Sequence, residues 1–137
     1  MNKLLVAYDG SRQSENAYRQ ALEIASKFSA KVIVLSVARP PEPPVAVEME
    51  AVLESAVEHF HAQFDRLKEA ADSLGVETKF ELRAGHPAEQ IVFMADEEKA
   101  DAIVLGDRGR SFVQRWLLGS IAKRVLAYAH CTVIVVR

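Results

Sequence analysis

Apolar and polar positions follow two alternating rhythms along this chain. Five short runs, Leu4 to Tyr8, Lys31 to Val37, Glu77 to Arg83, Ala102 to Leu105 and Thr132 to Val136, read as strands bounded by turn-forming residues. Between the first two, Ala17, Ala21, Leu22, Ala25 and Phe28 recur every three or four residues, with Ser11 or Ser14 placed to cap the helix they imply. The segment from Val47 to Leu74 repeats the pattern with Met49, Leu53, Val57, Phe60, Phe64, Leu67, Ala71 and Leu74, then stops at Gly75. That spacing predicts a long crossover helix. Gly85-His86-Pro87 leaves the third strand and sets proline in the first turn of a third helix, whose buried side is Ile91, Met94 and Ala95. Ile121 to Ala129 supplies the fourth helix. Strands alternating with helices predict an α/β fold with a mostly parallel sheet covered on both faces.

The chain of 137 residues, half of them apolar, has the size of one domain spanning 1–137. A formal charge of -2 gives no broad basic field, which argues against nucleic acid as a partner. Cys131, the single cysteine, has no internal disulfide partner and reads as a small buried residue at a strand start. The apolar stretch before Asp9 is too short for a signal-peptide core, and no run approaches the roughly 18 apolar residues of a membrane span. A soluble, cytoplasmic protein is expected. Pro40, Pro41, Pro43 and Pro44 predict a stiff loop before the long helix; a proline-rich docking peptide is the alternative.

Candidate chemistry gathers where strands end. Gly106-Asp107-Arg108-Gly109, nine further residues, then Gly119-Ser120 bracket the passage from the fourth strand to the fourth helix. Glycine lets a ligand approach main-chain N–H groups, and a helix start attracts anions. Ser120 is placed to cap the helix or to offer its hydroxyl and N–H to a phosphate. The same spacing also fits two tight turns with no ligand. Arg108, Arg110 and Arg115 suit phosphate, although loop arginines are commonly just solvated. After the first strand, Asp9-Gly10-Ser11 offers a carboxylate to a ribose, a base or a phosphate-bound cation, or simply starts the next helix. Walker, GxGxxG and GxSxG patterns are absent from the sequence. His59 and His61 lie two apart on a predicted helix, and His86 and His130 are isolated, so no histidine metal site is expected. No catalytic set is evident.

Taken together these residues resemble the universal stress protein family. The resemblance runs from Leu4 to Ser11, through Gly85 to Ile91 and Ala100 to Gly106, to Leu118-Gly119-Ser120 and Cys131 to Arg137. Gly106, Gly109, Gly119 and Ser120 meet the family's ATP-binding signature, GxxG, nine residues and G[ST]. The resemblance implies a doubly wound, Rossmann-like sheet of order 3-2-1-4-5 with four helices. It implies ATP or another adenine nucleotide, with Mg²⁺, across the carboxyl ends of the first, second and fourth strands. Asp9 and the main chain of Val37, with Ala7 beside them, would face the adenosine. Leu105 and Gly106 would line the ribose, and Arg108, Gly109, Gly119, Ser120 and the N–H of Ile121 would meet the phosphates. Asp107 stands where the family usually has serine or threonine; a carboxylate there repels phosphate unless it turns outward or pairs with Arg108 or a cation. The family habit further implies a homodimer through the Thr132 to Val136 edge and a regulatory role. A slow ATP hydrolase or autophosphorylating enzyme, or a nucleotide-free dimerisation module, are the alternatives.

Overall fold

The computed structural model describes residues 1–39, 46–108 and 118–137. The element order is β1 (Lys3–Ala7), α1 (Arg12–Phe28), β2 (Lys31–Ala38), α2 (Ala46–Ser73), β3 (Thr78–Ala84), α3 (Pro87–Glu98), β4 (Ala102–Gly106), α4 (Ser120–Tyr128) and β5 (Thr132–Val136). All strand pairs are parallel, in the order β3-β2-β1-β4-β5. This is the doubly wound α/β sheet expected. The proline segment lies outside the described residues, as do the side chains of Val47 and Met49.

Strand side chains alternate between two cores, as a two-residue period requires. Leu4, Val6, Val32, Val34 and Val104 meet Tyr18 and Leu22 of α1 and Leu67 of α2 on one face. Leu5, Ile33, Leu35, Ile103 and Leu105 meet Ile91 and Met94 of α3 and Val125 of α4 on the other. The three inner strands are therefore apolar at nearly every position, whereas β3 at the edge is half-buried throughout.

Local chemistry sets the helix ends. Ser11, not Ser14, is the N-cap of α1: its hydroxyl accepts from the Ser14 N–H at 3.1 Å. α3 carries Pro87 in its first turn. Two expectations need correcting. Phe28 is 59% exposed at the last residue of α1, beyond the buried stripe that ends at Ala25. In α2, Leu67 and Ala71 are buried but Val57 is 53% exposed, as is Leu74 just beyond the end of the helix. Twenty-eight residues of helix span about 42 Å, while the eight residues of β2 span about 26 Å, so the helix overhangs the sheet it covers. Cys131 is half-buried rather than buried; burial and then the nearby Asp96 carboxylate push its thiol pKa up. Among the described residues no helix is long and apolar enough to cross a membrane.

α1 and α2 are tied by a polar cluster at the carboxyl end of β1. The Tyr8 hydroxyl is shared between the Glu15 carboxylate and Gln63 Oε1, the latter at 2.7 Å, and accepts from Arg66 at 3.1 Å. Arg66 also grips Glu15. Burial alone raises the Glu15 pKa, but the hydrogen bonds from Arg66 and Tyr8 outweigh it and leave the group below its ordinary value. Burial and the adjacent carboxylate drive the Tyr8 phenol upward, so it stays protonated.

Two stability experiments follow from this packing. Ile33→Ala should cost about 2–5 kcal/mol in urea melts, because Ile33 is fully buried among both neighbouring strands. Phe93→Ala, at a side chain 58% exposed, should stay within about 0.5 kcal/mol. For the polar cluster, a depressed carboxylate pKa adds stability above its unfolded value, near 4.3, and loses it as pH falls through the folded one. Glu15→Gln should therefore be less stable than the wild type at pH 7, the gap closing below about pH 4.3. A constant gap from pH 7 to pH 3 would remove the ion pair as its source.

Candidate functional site

Strand order reverses between β1 and β4. From β1 the chain moves outward to β2 and β3, then crosses back to β4, so the loops after β1 and β4 leave towards different faces and open a crevice between them. Here the carboxyl ends of β1, β2 and β4 meet the first turns of α3 and α4 around a cavity of about 190 Å³.

On the β1 side, Asp9 Oδ1 accepts from the Ser11 N–H at 2.9 Å, and Gly10 turns the chain with φ +82°. The Asp9 carboxylate thus both starts α1 and lines the cleft. On the β4 side, Gly106 is held by packing: a Cβ there would lie 2.6 Å from Gln13 Cβ of α1. The Asp107 N–H donates to the Val136 carbonyl at 2.8 Å, and the Gly119 N–H donates to the Asp107 carbonyl at 2.7 Å. These two bonds fix the start of α4 against the end of β4.

Gly119 is the N-cap of α4 and no side chain caps it, so Ser120 is the first helical residue and not the cap its position suggested. The Lys123 N–H donates to the Gly119 carbonyl at 3.0 Å. The amides of Ser120, Ile121 and Ala122 precede that first helical bond and have no helical acceptor, at residues that line the cleft. Arg108 and Arg39 also line it, so amide donors and guanidinium groups face one space with Asp9. Such a space suits an anion carrying an apolar or aromatic body, the latter against Leu35, Val37, Ile91 and Leu105.

Ala7, Asp9, Val37, Leu105, Gly106, Arg108, Gly119, Ser120 and Ile121 all line this cavity. Gly109, Arg110 and Arg115 lie outside the described residues. Tyr8, Arg39, Pro87 and Ile91 also line it and were not singled out for it from the sequence. Arg39 follows β2 at the same end of the sheet, and Pro87 and Ile91 belong to the motif after Gly85. The carboxyl-end rule reaches them once applied to the first turn beyond every strand. Asp107 is not among the lining residues: its side chain is 9% exposed and approaches Arg108 Nε at 3.9 Å.

Histidines form no second centre. His61 pairs with Asp65 at 3.8 Å on the exposed face of α2, and His130 meets Asp96 at 3.1 Å. Among the described residues no three His, Cys, Asp or Glu side chains converge as metal ligands. A broader depression of about 850 Å³ lies between α3 and α4, lined by His86, Phe93, Arg124 and Tyr128. It is bordered by the start of α3 at Gly85, His86, Ala88 and Glu89, but not by the ends of β1, β2 and β4 that meet at the first cavity.

The sequence model described as the universal stress protein family matches residues 1–137. Universal stress protein MJ0531 of Methanocaldococcus jannaschii is 36% identical over 138 residues, covering 98% of this chain and 81% of the relative. Among solved structures, hypothetical protein MJ0577 superposes with a TM-score of 0.90 at 26% identity, covering 98% of this chain and 94% of that one. A universal stress protein in complex with cAMP gives 0.77 at 26% identity, covering 99% and 97%. The universal stress protein from Archaeoglobus fulgidus in complex with dAMP gives 0.67 at 26% identity, covering 100% and 98%. The match of the family model over residues 1–137, with a relative 36% identical along nearly the whole chain, means that this chain belongs to the universal stress protein family.

Proposed function

We propose that residues 1–137 act as one nucleotide-binding unit, holding an adenine nucleotide in the β1–β4 cleft and regulating through nucleotide-dependent conformation or partner binding. The observation that carries this reading is the convergence of the α4 amides, Arg39 and Arg108 on the cleft that Asp9 and the apolar strand ends line. Family members in complex with cAMP and with dAMP support the adenine class. Asp9 and the Val37 main chain face the adenosine, Leu105 and Gly106 the ribose. Gly119, Ser120 and the Ile121 N–H hold phosphate, with Arg108 as counter-charge. ATP with Mg²⁺ is the first ligand to test. The cation arrives with the phosphates, since no protein cage of three ligands stands among the described residues.

Isothermal titration with ATP, ADP, AMP and cAMP should give saturable one-site binding. Gly119→Val should abolish it, because its Cβ would sit 3.1 Å from Arg108 Cα and push apart the end of β4 and the start of α4 that the site needs together. Thermal melting checks that the variant remains folded. A folded variant with undiminished affinity would remove the α4 start from the site.

The same reading includes a homodimer through β5. The Val136 carbonyl accepts from Asp107, so by strand alternation the main-chain groups of Val133 and Val135 turn to the open edge. Antiparallel pairing with a second copy satisfies them. Val135→Pro removes an outward donor while leaving the contacts with β4, and should shift the protein to monomer in sedimentation at micromolar concentration. A wild-type monomer, or a dimeric proline variant, contradicts this interface.

A further inference from the structure

Arg39 and Arg108 both line the cleft, and the fold sets them on opposite sides of β1. Arg108 follows β4, lies against Gly119 at the start of α4 and approaches the Asp107 carboxylate at 3.9 Å. Arg39 follows β2, whose carboxyl end stands above that of its neighbour. β1 stops at Ala7, opposite Leu35, while β2 runs on to Ala38, paired with Ala84 of β3. Ser36, Val37 and Ala38 thus carry the strand about 10 Å past the end of β1. By the two-residue period Leu35, Val37 and Arg39 share one face, and all three line the cleft. Arg39 is the outermost rung of an otherwise apolar wall. Two strand spacings, about 10 Å, separate that wall from the end of β4, to which the start of α4 is tied.

A nucleotide whose phosphate sits at the α4 amides turns its nucleoside towards β2, so the base end meets Leu35, Val37 and Arg39 rather than Arg108. The Arg39 side chain is exposed in the protein without ligand, which leaves its guanidinium open to one. That group is planar and weakly hydrated, and it is attracted to the face of an aromatic ring. A guanidinium reading a purine edge pairs best with guanine O6 and N7, so towards adenine it uses the ring face. Resting on the nucleotide reading above, we propose that Arg39 is a base-contacting residue. Its guanidinium lies across the adenine at the outer rim of the cleft and takes no part in holding phosphate. The methylene stem of Arg39 extends the apolar column of Leu35 and Val37, while Arg108 remains the counter-charge at the phosphate end. The two arginines divide the ligand between them.

The test is isothermal titration of the full chain with adenosine, AMP and ATP in excess MgCl₂, for wild type, Arg39→Ala and Arg39→Lys. The base is common to all three ligands, so Arg39→Ala should weaken each by a similar factor, about five- to thirtyfold. Lysine keeps the charge and loses the plane, so Arg39→Lys should stay closer to Arg39→Ala than to wild type. A phosphate contact gives the opposite pattern, with adenosine unaffected, AMP and ATP weakened, and lysine restoring the affinity. Adenosine unaffected while AMP weakens, full recovery in Arg39→Lys, or unchanged affinity in Arg39→Ala each overturns the proposal. If adenosine binds too weakly to titrate, AMP at about 50 and about 500 mM NaCl decides: the ratio of wild-type to Arg39→Ala affinity stays constant for a base contact and shrinks with salt for a phosphate contact. Thermal melting checks that the variants, altered at an exposed position, remain folded. If the wild type binds AMP or ATP and the variants give the phosphate pattern, only the role of Arg39 falls. If no adenine nucleotide binds the wild type, the nucleotide reading falls with it.

Discussion

Everything at the site depends on β1 being paired in parallel on both sides. β1 hydrogen-bonds to β2 along one edge and to β4 along the other, and parallel neighbours can be joined only by crossovers. The first crossover, α1, lies over the face of Leu4 and Val6, and α3, which leads back to β4, lies over the face of Leu5. The chain must therefore leave β1 towards one layer and arrive at β4 from the other. Among the described residues a cavity of about 190 Å³ lies between the two carboxyl ends. A crevice lined by main-chain turns and helix starts is the geometric consequence of that strand order, and polar groups needed for a ligand are delivered there without distorting either core.

The glycines read differently once this is seen. Gly106 is required by Gln13 of α1, whose Cβ leaves no room for a methyl group, and this would hold with or without a ligand. Gly119 is packed against Arg108 and serves as N-cap of α4. Two of the signature glycines thus have structural duties of their own. The weight of a nucleotide reading falls instead on features that folding alone does not demand: uncapped amides at α4 and two arginines lining the cleft.

The strands were legible because a sheet buried on both faces leaves a run of branched aliphatic residues with no polar interruption, as Leu4-Leu5-Val6 and Val32 to Leu35 show. Helix existence was legible from three-and-four spacing, but the extent of burial was not. In α2 the apolar stripe continues past the end of the sheet, and periodicity carries no information on how far a partner surface extends. Phe28 failed for the related reason that a helix end outruns its neighbour. The site residues on strand ends were found by the carboxyl-end rule together with the family resemblance. Tyr8 was not, since its ring belongs to the β1 run while its hydroxyl reaches across α1 to α2. Only the folded arrangement brings Glu15, Gln63 and Arg66, 7, 55 and 58 positions away, to one oxygen.

That oxygen gives the cleft a physical link to α2. Tyr8 lines the cavity and sits beside Asp9, and Gln63 of α2 lies over Gly10, whose absent Cβ would be 3.5 Å from Gln63 Nε2. The Asp9 carboxylate closes the turn at Gly10 through Ser11, and this turn is in van der Waals reach of the same glutamine that holds the Tyr8 hydroxyl. Towards its N-terminus from this cluster, none of the described side chains of α2 is buried. Leu67 and Ala71 seat the C-terminal part of α2 in the core, and Gln63 and Arg66 just before them bind it to Tyr8 and Glu15. The Glu15–Arg66–Tyr8 contact is accordingly where the cleft lining, α1 and α2 are joined through one phenol oxygen.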